Sequence, residues 1–316
     1  MHGRLAAYVR EVPMFRIISI ATVAFAAVVA SELTQHPSTT TGALDAALLR
    51  NAGSATARLA YGAAVPIGKG KARTYVLFDA TGRIPQEVGV AFDERAMDSL
   101  PSNGSGHHDG AMETHEFILE LPAQHATPFR FVELNWNPMG HEPAGVYQDV
   151  PHFDFHFYTI SKAERDAIMP TDPQYATKAN NVPTGDFVPP FNVALGPPGA
   201  TPAQIAVPMM GVHWVDIRSA ELQKLLGKPD AYKPFTATFI HGSWNGRFHF
   251  WEPMVTRAHI LAKRNATDAN ERDEVIPISV PAKYQSPGYY PAAYRVSWDA
   301  QAKEYRIALT NLSRKN

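Results

Sequence analysis

The chain reads as a mainly β protein, α+β only at the margin. The expected architecture is an antiparallel sandwich or barrel-like single domain with a few short helices. Three observations predict it. Several runs alternate apolar and polar residues between turn signals, the mark of half-buried strands. Helical periodicity is confined to short stretches, so strands do not alternate with long helices as in a doubly wound α/β sheet. And 26 prolines punctuate 316 residues, which interrupts long elements.

The N-terminal segment comes first. Arg4, Arg10 and Arg16 precede an apolar run from Ile17 to Ala30. That run is about 14 residues, short of the roughly 20 needed to span a bilayer. It ends in Val28-Val29-Ala30 before Ser31. A basic start, an apolar middle and a small-residue exit predict a signal peptide over residues 1–30, with Met1 or Met14 as the start. The chain is expected to be exported, periplasmic or extracellular, and free of the membrane once the signal is removed. Residues 31–65, rich in Ser, Thr and Ala, read as a mobile lead-in with one short helix over 41–50. A single β-rich domain is expected over 66–316.

Within that domain, Thr74–Phe78 and Glu87–Phe92 flank a turn at Asp79–Gly82 and predict a hairpin. Residues 102–110 form a polar loop that includes His107 and His108. Strands follow at 116–121, 129–135 and 152–158. Ser161-Lys162-Ala163-Glu164 is a capping box opening a short helix that Pro170 ends. Eight prolines between 171 and 208 predict a long irregular flap over the domain. A strand over 211–216 and a helix over 219–226, stopped by Gly227, come next. Asn245-Gly246 between two apolar runs predicts a tight hairpin. The last hairpin joins Tyr294–Trp298 to Glu304–Leu309.

Composition narrows the chemistry. Thirteen histidines stand against no cysteine. Disulfides, thiolate metal sites and a cysteine nucleophile are excluded. A net charge of −1 lacks the basic excess of nucleic-acid-binding proteins. No nucleophile elbow, phosphate loop, dinucleotide glycine pattern or His-Glu-x-x-His is present.

The segment His152-Phe153-Asp154-Phe155-His156-Phe157-Tyr158 alternates strictly. Three phenylalanines face one side of a strand and must be core; His152, Asp154, His156 and Tyr158 face the other. Strand residues four apart are separated by about 13 Å, too far for His152 and His156 to share one ion if the strand is regular. Adjacent pairs can share one through Asp154, which serves as ligand or as orienter of an imidazole. His141, in the preceding turn, and His213, in Gly211-Val212-His213-Trp214, complete the expected set. The candidate metal ligands are thus His141, His152, His156 and His213. Imidazole with carboxylate suits zinc first, with copper, manganese or iron(II) as alternatives. The competing reading is a buried polar row satisfied by hydrogen bonds.

With a two-residue turn at Asn245-Gly246, Phe239 is expected to face Glu252, and His241 to face Phe250. That register puts His241 and Glu252 on one face, and Trp251 and His249 on the other. Glu252 is a candidate ligand, general base or ion-pair partner. Asp154 and Glu252 are the candidate catalytic carboxylates.

The strings Trp136-Asn137-Pro138-Met139-Gly140-His141-Glu142-Pro143, Pro151 to Tyr158, Gly211-Val212-His213-Trp214 and Glu252-Pro253-Met254 carry a resemblance. Together they resemble an uncharacterised family of exported bacterial proteins, a domain of unknown function with members in Thermus and proteobacteria. The similarity spans about residues 70–260. It implies a β-rich exported domain capable of self-association, and no reaction.

Three function classes follow. The first is an exported divalent-metal protein, a hydrolase or oxygen-handling enzyme if its metal keeps an open position. The second is a non-enzymatic, self-assembling envelope or stress protein whose histidines are structural. The third is a small-ligand-binding module using the flap. A homo-oligomer and a small-molecule ligand are the expected partners.

Overall fold

The computed structural model describes residues 58–102 and 114–316. The predicted signal peptide, most of the lead-in with its 41–50 helix, and His107 and His108 lie outside them. Among the described residues no helix is long and apolar enough to cross a membrane.

Two seven-stranded antiparallel sheets stack face to face. The first holds β1 (Arg58–Tyr61), β2 (Val65–Ile67), β3 (Gly70–Phe78), β4 (Pro85–Asp93), β12 (Asp273–Pro277), β14 (Ala293–Asp299) and β15 (Glu304–Thr310). Its order is β1-β3-β4-β15-β14-β12, with β2 also paired to β3. The second sheet holds β5 (His115–Glu120), β6 (Phe131–Asn137), β7 (His152–Tyr158), β8 (Asn192–Ala194), β9 (Val212–Asp216), β10 (Ala237–Trp244) and β11 (Arg247–Thr256). Its order is β5-β6-β7-β11-β10-β9-β8. A small ribbon joins β13 (Gly288–Tyr290) to β16 (Ser313–Lys315). The architecture is therefore a sandwich, and neither sheet closes into a barrel. Among the described residues the first strand starts at Arg58, within the segment expected to be lead-in.

The core lies where the apolar halves of the alternating strands meet. Phe153 and Phe155 of β7 reach Phe92 of β4 with ring centroids 5.4 and 5.8 Å apart. Val76, Val88, Val90, Val296 and Ile307 of the first sheet join the same buried cluster. Trp214 turns into this core and donates from Nε1 to Ser243 Oγ at 2.8 Å. His213, its neighbour, consequently faces the other way.

Helices are short. They are α1 (Lys162–Asp166), α2 (Tyr175–Asn180), α3 (Pro202–Ile205), α4 (Arg257–Asn265) and α5 (Ala269–Arg272). The Ser161–Glu164 capping box forms at the start of α1. Residues 219–226, expected to be a helix, make only a 3₁₀ turn at Ala220–Leu222 followed by turns. The 171–208 flap carries α2, β8 and α3 and folds over the outer face of the second sheet.

One register expectation is overturned. The β10–β11 ladder begins as predicted, with Trp244 opposite Arg247 and Ser243 opposite Phe248. It then passes to Gly242 opposite Phe250. His249 is the extra residue of a β-bulge, and beyond it the register is shifted by one. His241 faces Trp251, and Glu252 faces Ile240. A one-residue shift exchanges faces, so His241 and Glu252 lie on opposite sides of the sheet. His241 goes to the core, 6.0 Å from the Trp251 ring. Glu252 goes to the outer face.

Candidate metal centre

The polar row of β7 is buried beneath the flap, away from solvent. His152, Asp154 and His156 are at most 5% exposed. Asp154 and His156 line the floor of a cavity of about 630 Å³. Strand β6 supplies the next row. Glu133, Asn135 and Asn137 pair with His156, Asp154 and His152 respectively. Strand β11 adds Glu252, level with His156 because Phe250 pairs with Tyr158 and Met254 with Asp154. Strand β9 adds His213, and the 138–151 loop adds His141 and Tyr147.

These groups form two triads, each of two imidazoles and one carboxylate. His141, His152 and Asp154 make the first; His156, His213 and Glu252 make the second. Within each, one ligand atom per residue lies within 4.8 Å of the others. The four predicted histidines therefore do not converge on one point. Asp154 and His156 are successive residues on one face of β7, about 7 Å apart in an extended strand. The β6–β7 pairing runs without a register break from His152 to Tyr158, so the regular-strand case holds and His152 and His156 stay apart.

In the first triad, His152 Nδ1 is 2.6 Å from the Val150 carbonyl, and His141 Nδ1 is 2.7 Å from the Glu142 carbonyl. A carbonyl only accepts, so both Nδ1 atoms carry the proton and donate it. Both Nε2 atoms then present lone pairs toward Asp154, at 3.2 Å from Oδ1 for His152 and 3.3 Å from Oδ2 for His141. Asn137 Nδ2 donates to Asp154 Oδ2 at 2.7 Å and fixes the carboxylate. Lone pairs facing a carboxylate repel unless a cation sits between them, either a proton or a metal ion. Burial alone would raise the Asp154 carboxyl. His152 and His141 hold it well below the ordinary carboxylate range. Burial lowers the half-exposed His141, and the facing Asp154 more than offsets that and raises it. Phe235 and Tyr147 pack edge-on against these imidazoles.

The second triad is drier. His156 Nε2 lies 3.4 Å from Glu252 Oε1. Neither ring nitrogen of His156 has a hydrogen-bond partner, nor has Glu252 Oε2. Burial pushes His156 down to about 3 and His213 down to about 4, so both are neutral at physiological pH. Burial, with Asp154 and Glu133 nearby, raises Glu252 well above its usual range. Buried polar atoms without partners are rare in native proteins. His156, with both ring nitrogens unmet, and Glu252, with Oε2 unmet, are suited to an ion, and His213, which is tied to the Gly211 backbone, completes the set.

Beside His156 on the same face of the sheet, Arg165 of α1 is itself buried and pairs with Glu133, with Glu116 at 2.6 Å and with Asp166 at 2.9 Å. Burial raises the Glu133 carboxyl to about 7 even though Arg165 opposes the shift.

The structure brings His141, His152 and Asp154 together, and His156, His213 and Glu252 together. It separates His241, which the sequence register had placed beside Glu252. Asn135, Asn137 and Tyr147 were missed. The first two were readable: Glu133-Leu134-Asn135-Trp136-Asn137 alternates with the same period as β7. Tyr147 sits in a loop without periodicity and gave no such signal.

No family model matches the chain, and no curated protein or solved structure is significantly similar to it.

Proposed function

We propose that this chain is an exported protein that binds two divalent metal ions in adjacent two-histidine, one-carboxylate sites opening onto a cavity. The observation that carries the reading is the first triad. Two imidazoles whose Nδ1 protons are committed to backbone carbonyls direct both Nε2 lone pairs at one carboxylate. Tethering of the remote ring nitrogen is how proteins orient metal-ligating histidines.

Zinc suits the donor set best, since nitrogen and oxygen donors in this number recur in its catalytic sites. Iron(II) uses the same two-histidine, one-carboxylate set. Three protein ligands leave coordination positions for a water or a ligand, and a bound metal would activate that water. The basic and apolar N-terminal segment supports export, and the sequence signature around His141 and His152–Tyr158 supports membership of the exported family it resembles.

The test is the metal content of the purified chain, loaded with zinc after chelator treatment and freed of excess ion. The expected result is about two ions per chain. Fewer than one ion per chain would overturn the proposal and leave the triads as proton-bridged structural pairs.

A further inference from the structure

The cavity has two unlike walls. Its floor carries Asn135, Asp154, His156, His213 and Glu252; its roof carries Leu195, Ile205, Val207 and Met210. Pro197 and Pro198 are exposed at the rim. A volume of about 630 Å³ lies within the range of small-molecule sites, which run from about 300 to 1,000 Å³. An apolar roof over a polar floor selects a ligand with one polar end.

Asn135 narrows the choice. It is 1% exposed, lines the cavity and stands opposite Asp154 on the neighbouring strand. Neither its Oδ1 nor its Nδ2 has a hydrogen-bond partner, so it can accept a ligand's proton at one atom and donate to a ligand oxygen at the other. A buried acceptor left unmet is costly, so the ligand should bring a donor beside its metal-binding oxygens. The charge of the floor adds a second constraint. This step rests on the two-metal reading above: two divalent ions outweigh the two carboxylates that hold them, which leaves an excess of positive charge for an anionic head.

We propose that the cavity binds 2-hydroxy carboxylates bearing an apolar substituent. The carboxylate and hydroxyl oxygens meet the metal-bearing floor. The hydroxyl proton is donated to Asn135 Oδ1. The substituent lies beneath Leu195, Ile205, Val207 and Met210. Short polar hydroxy acids satisfy the floor but leave the roof empty, and plain fatty acids fill the roof but leave Asn135 Oδ1 unmet.

Calorimetric titration of the zinc-loaded full chain tests this with three probes: 2-hydroxyoctanoate, lactate and octanoate. Each buried methylene contributes about fourfold in affinity, so 2-hydroxyoctanoate should bind about 100-fold or more tighter than lactate. It should also exceed octanoate by roughly tenfold, the value of one buried hydrogen bond. Asn135→Leu should erase the preference over octanoate while octanoate still binds. Met210→Trp, which fills the roof, should weaken both longer acids and leave zinc content unchanged. A chain that holds zinc but binds 2-hydroxyoctanoate no better than lactate overturns this inference alone. A chain that holds no zinc overturns the metal reading and this inference with it.

Discussion

His152 Nε2 lies 3.2 Å from Asp154 Oδ1, while its Nδ1 is bound at 2.6 Å to the Val150 carbonyl. The ring cannot rotate to avoid the carboxylate without losing the carbonyl. Its free lone pair is therefore held in a position that only a cation makes favourable. Asp154→Asn keeps the shape and removes the charge. The expected outcome is loss of one ion equivalent, with the second triad still loaded, measured as metal per chain after dialysis. Unchanged stoichiometry would place the ions elsewhere.

Glu252 is the matching test of the second triad. Glu252→Gln removes a ligand oxygen that can ionise but preserves volume, and burial with Asp154 and Glu133 nearby raises the Glu252 carboxyl well above its usual range in the metal-free protein. The variant should therefore fold and lose the other ion equivalent. The double variant, Asp154→Asn with Glu252→Gln, should carry none. A single variant that empties both sites would show instead that the triads bind as one cluster.

Acid stability should reflect buried histidines outside the triads. Burial pushes His241 and His249 down to about 3, so the folded chain keeps them neutral. In the unfolded chain they titrate near the ordinary 6.5. Between those values the unfolded state binds more protons, so stability is lost as pH falls from about 6.5 toward 3. Each such histidine contributes a slope of up to about 1.4 kcal/mol per pH unit. His241→Leu, which leaves an apolar group among Phe239, Phe248 and Trp251, should make the dependence shallower. Urea denaturation of the metal-free chain at pH 7 and pH 5 measures this. An identical slope in the variant would mean that His241 is solvated in the native state.

Arg165 is 1% exposed and holds the fully buried Glu133 against the back of the site. Arg165→Met removes the partner and leaves an unpaired carboxyl, which costs about 3–5 kcal/mol when a buried pair is broken this way. Removing both charges, Arg165→Met with Glu133→Gln, should recover much of the loss. Denaturant midpoints of the single and double variants form the cycle. A double variant no more stable than Arg165→Met would show that packing of the arginine stem, not its charge, holds α1 in place.

The parts of this molecule that could be read from sequence are those where a local rule and the tertiary structure agree. Strand β7 runs from His152 to Tyr158, as its strict alternation predicts. Ser161 and Glu164 make their capping box, and Asn245-Gly246 turns the hairpin. The three-residue strands β2, β8, β13 and β16 carry no period, because pairing at an edge rather than burial defines them. The division of the histidines into two triads was half legible. Strand spacing forbade one shared site, but the assignment of His141 to His152 and of His213 to His156 depends on a loop and on a strand distant in sequence. The position of Glu252 was illegible, since nothing local announces a bulge at His249.

That bulge is itself testable. Gly242 sits where the ladder shifts, directly opposite Phe250, and a Cβ there would fall inside the Phe250 ring. The glycine lets Phe250 cross close to β10, and Phe250 in turn contacts both His156 and His213, with centroids 4.9 and 5.3 Å apart. Gly242→Ala must displace the ring or restore the unshifted register. Displacing Phe250 disturbs the two imidazoles of the second triad; restoring the register turns Glu252 toward the core. Either way the second ion should be lost while the first, held by His141, His152 and Asp154, remains. Metal per chain should fall by one, as for Glu252→Gln, but with a loss of stability that the glutamine variant does not share. A Gly242→Ala chain that retains both ions would show that the second triad does not depend on the bulge.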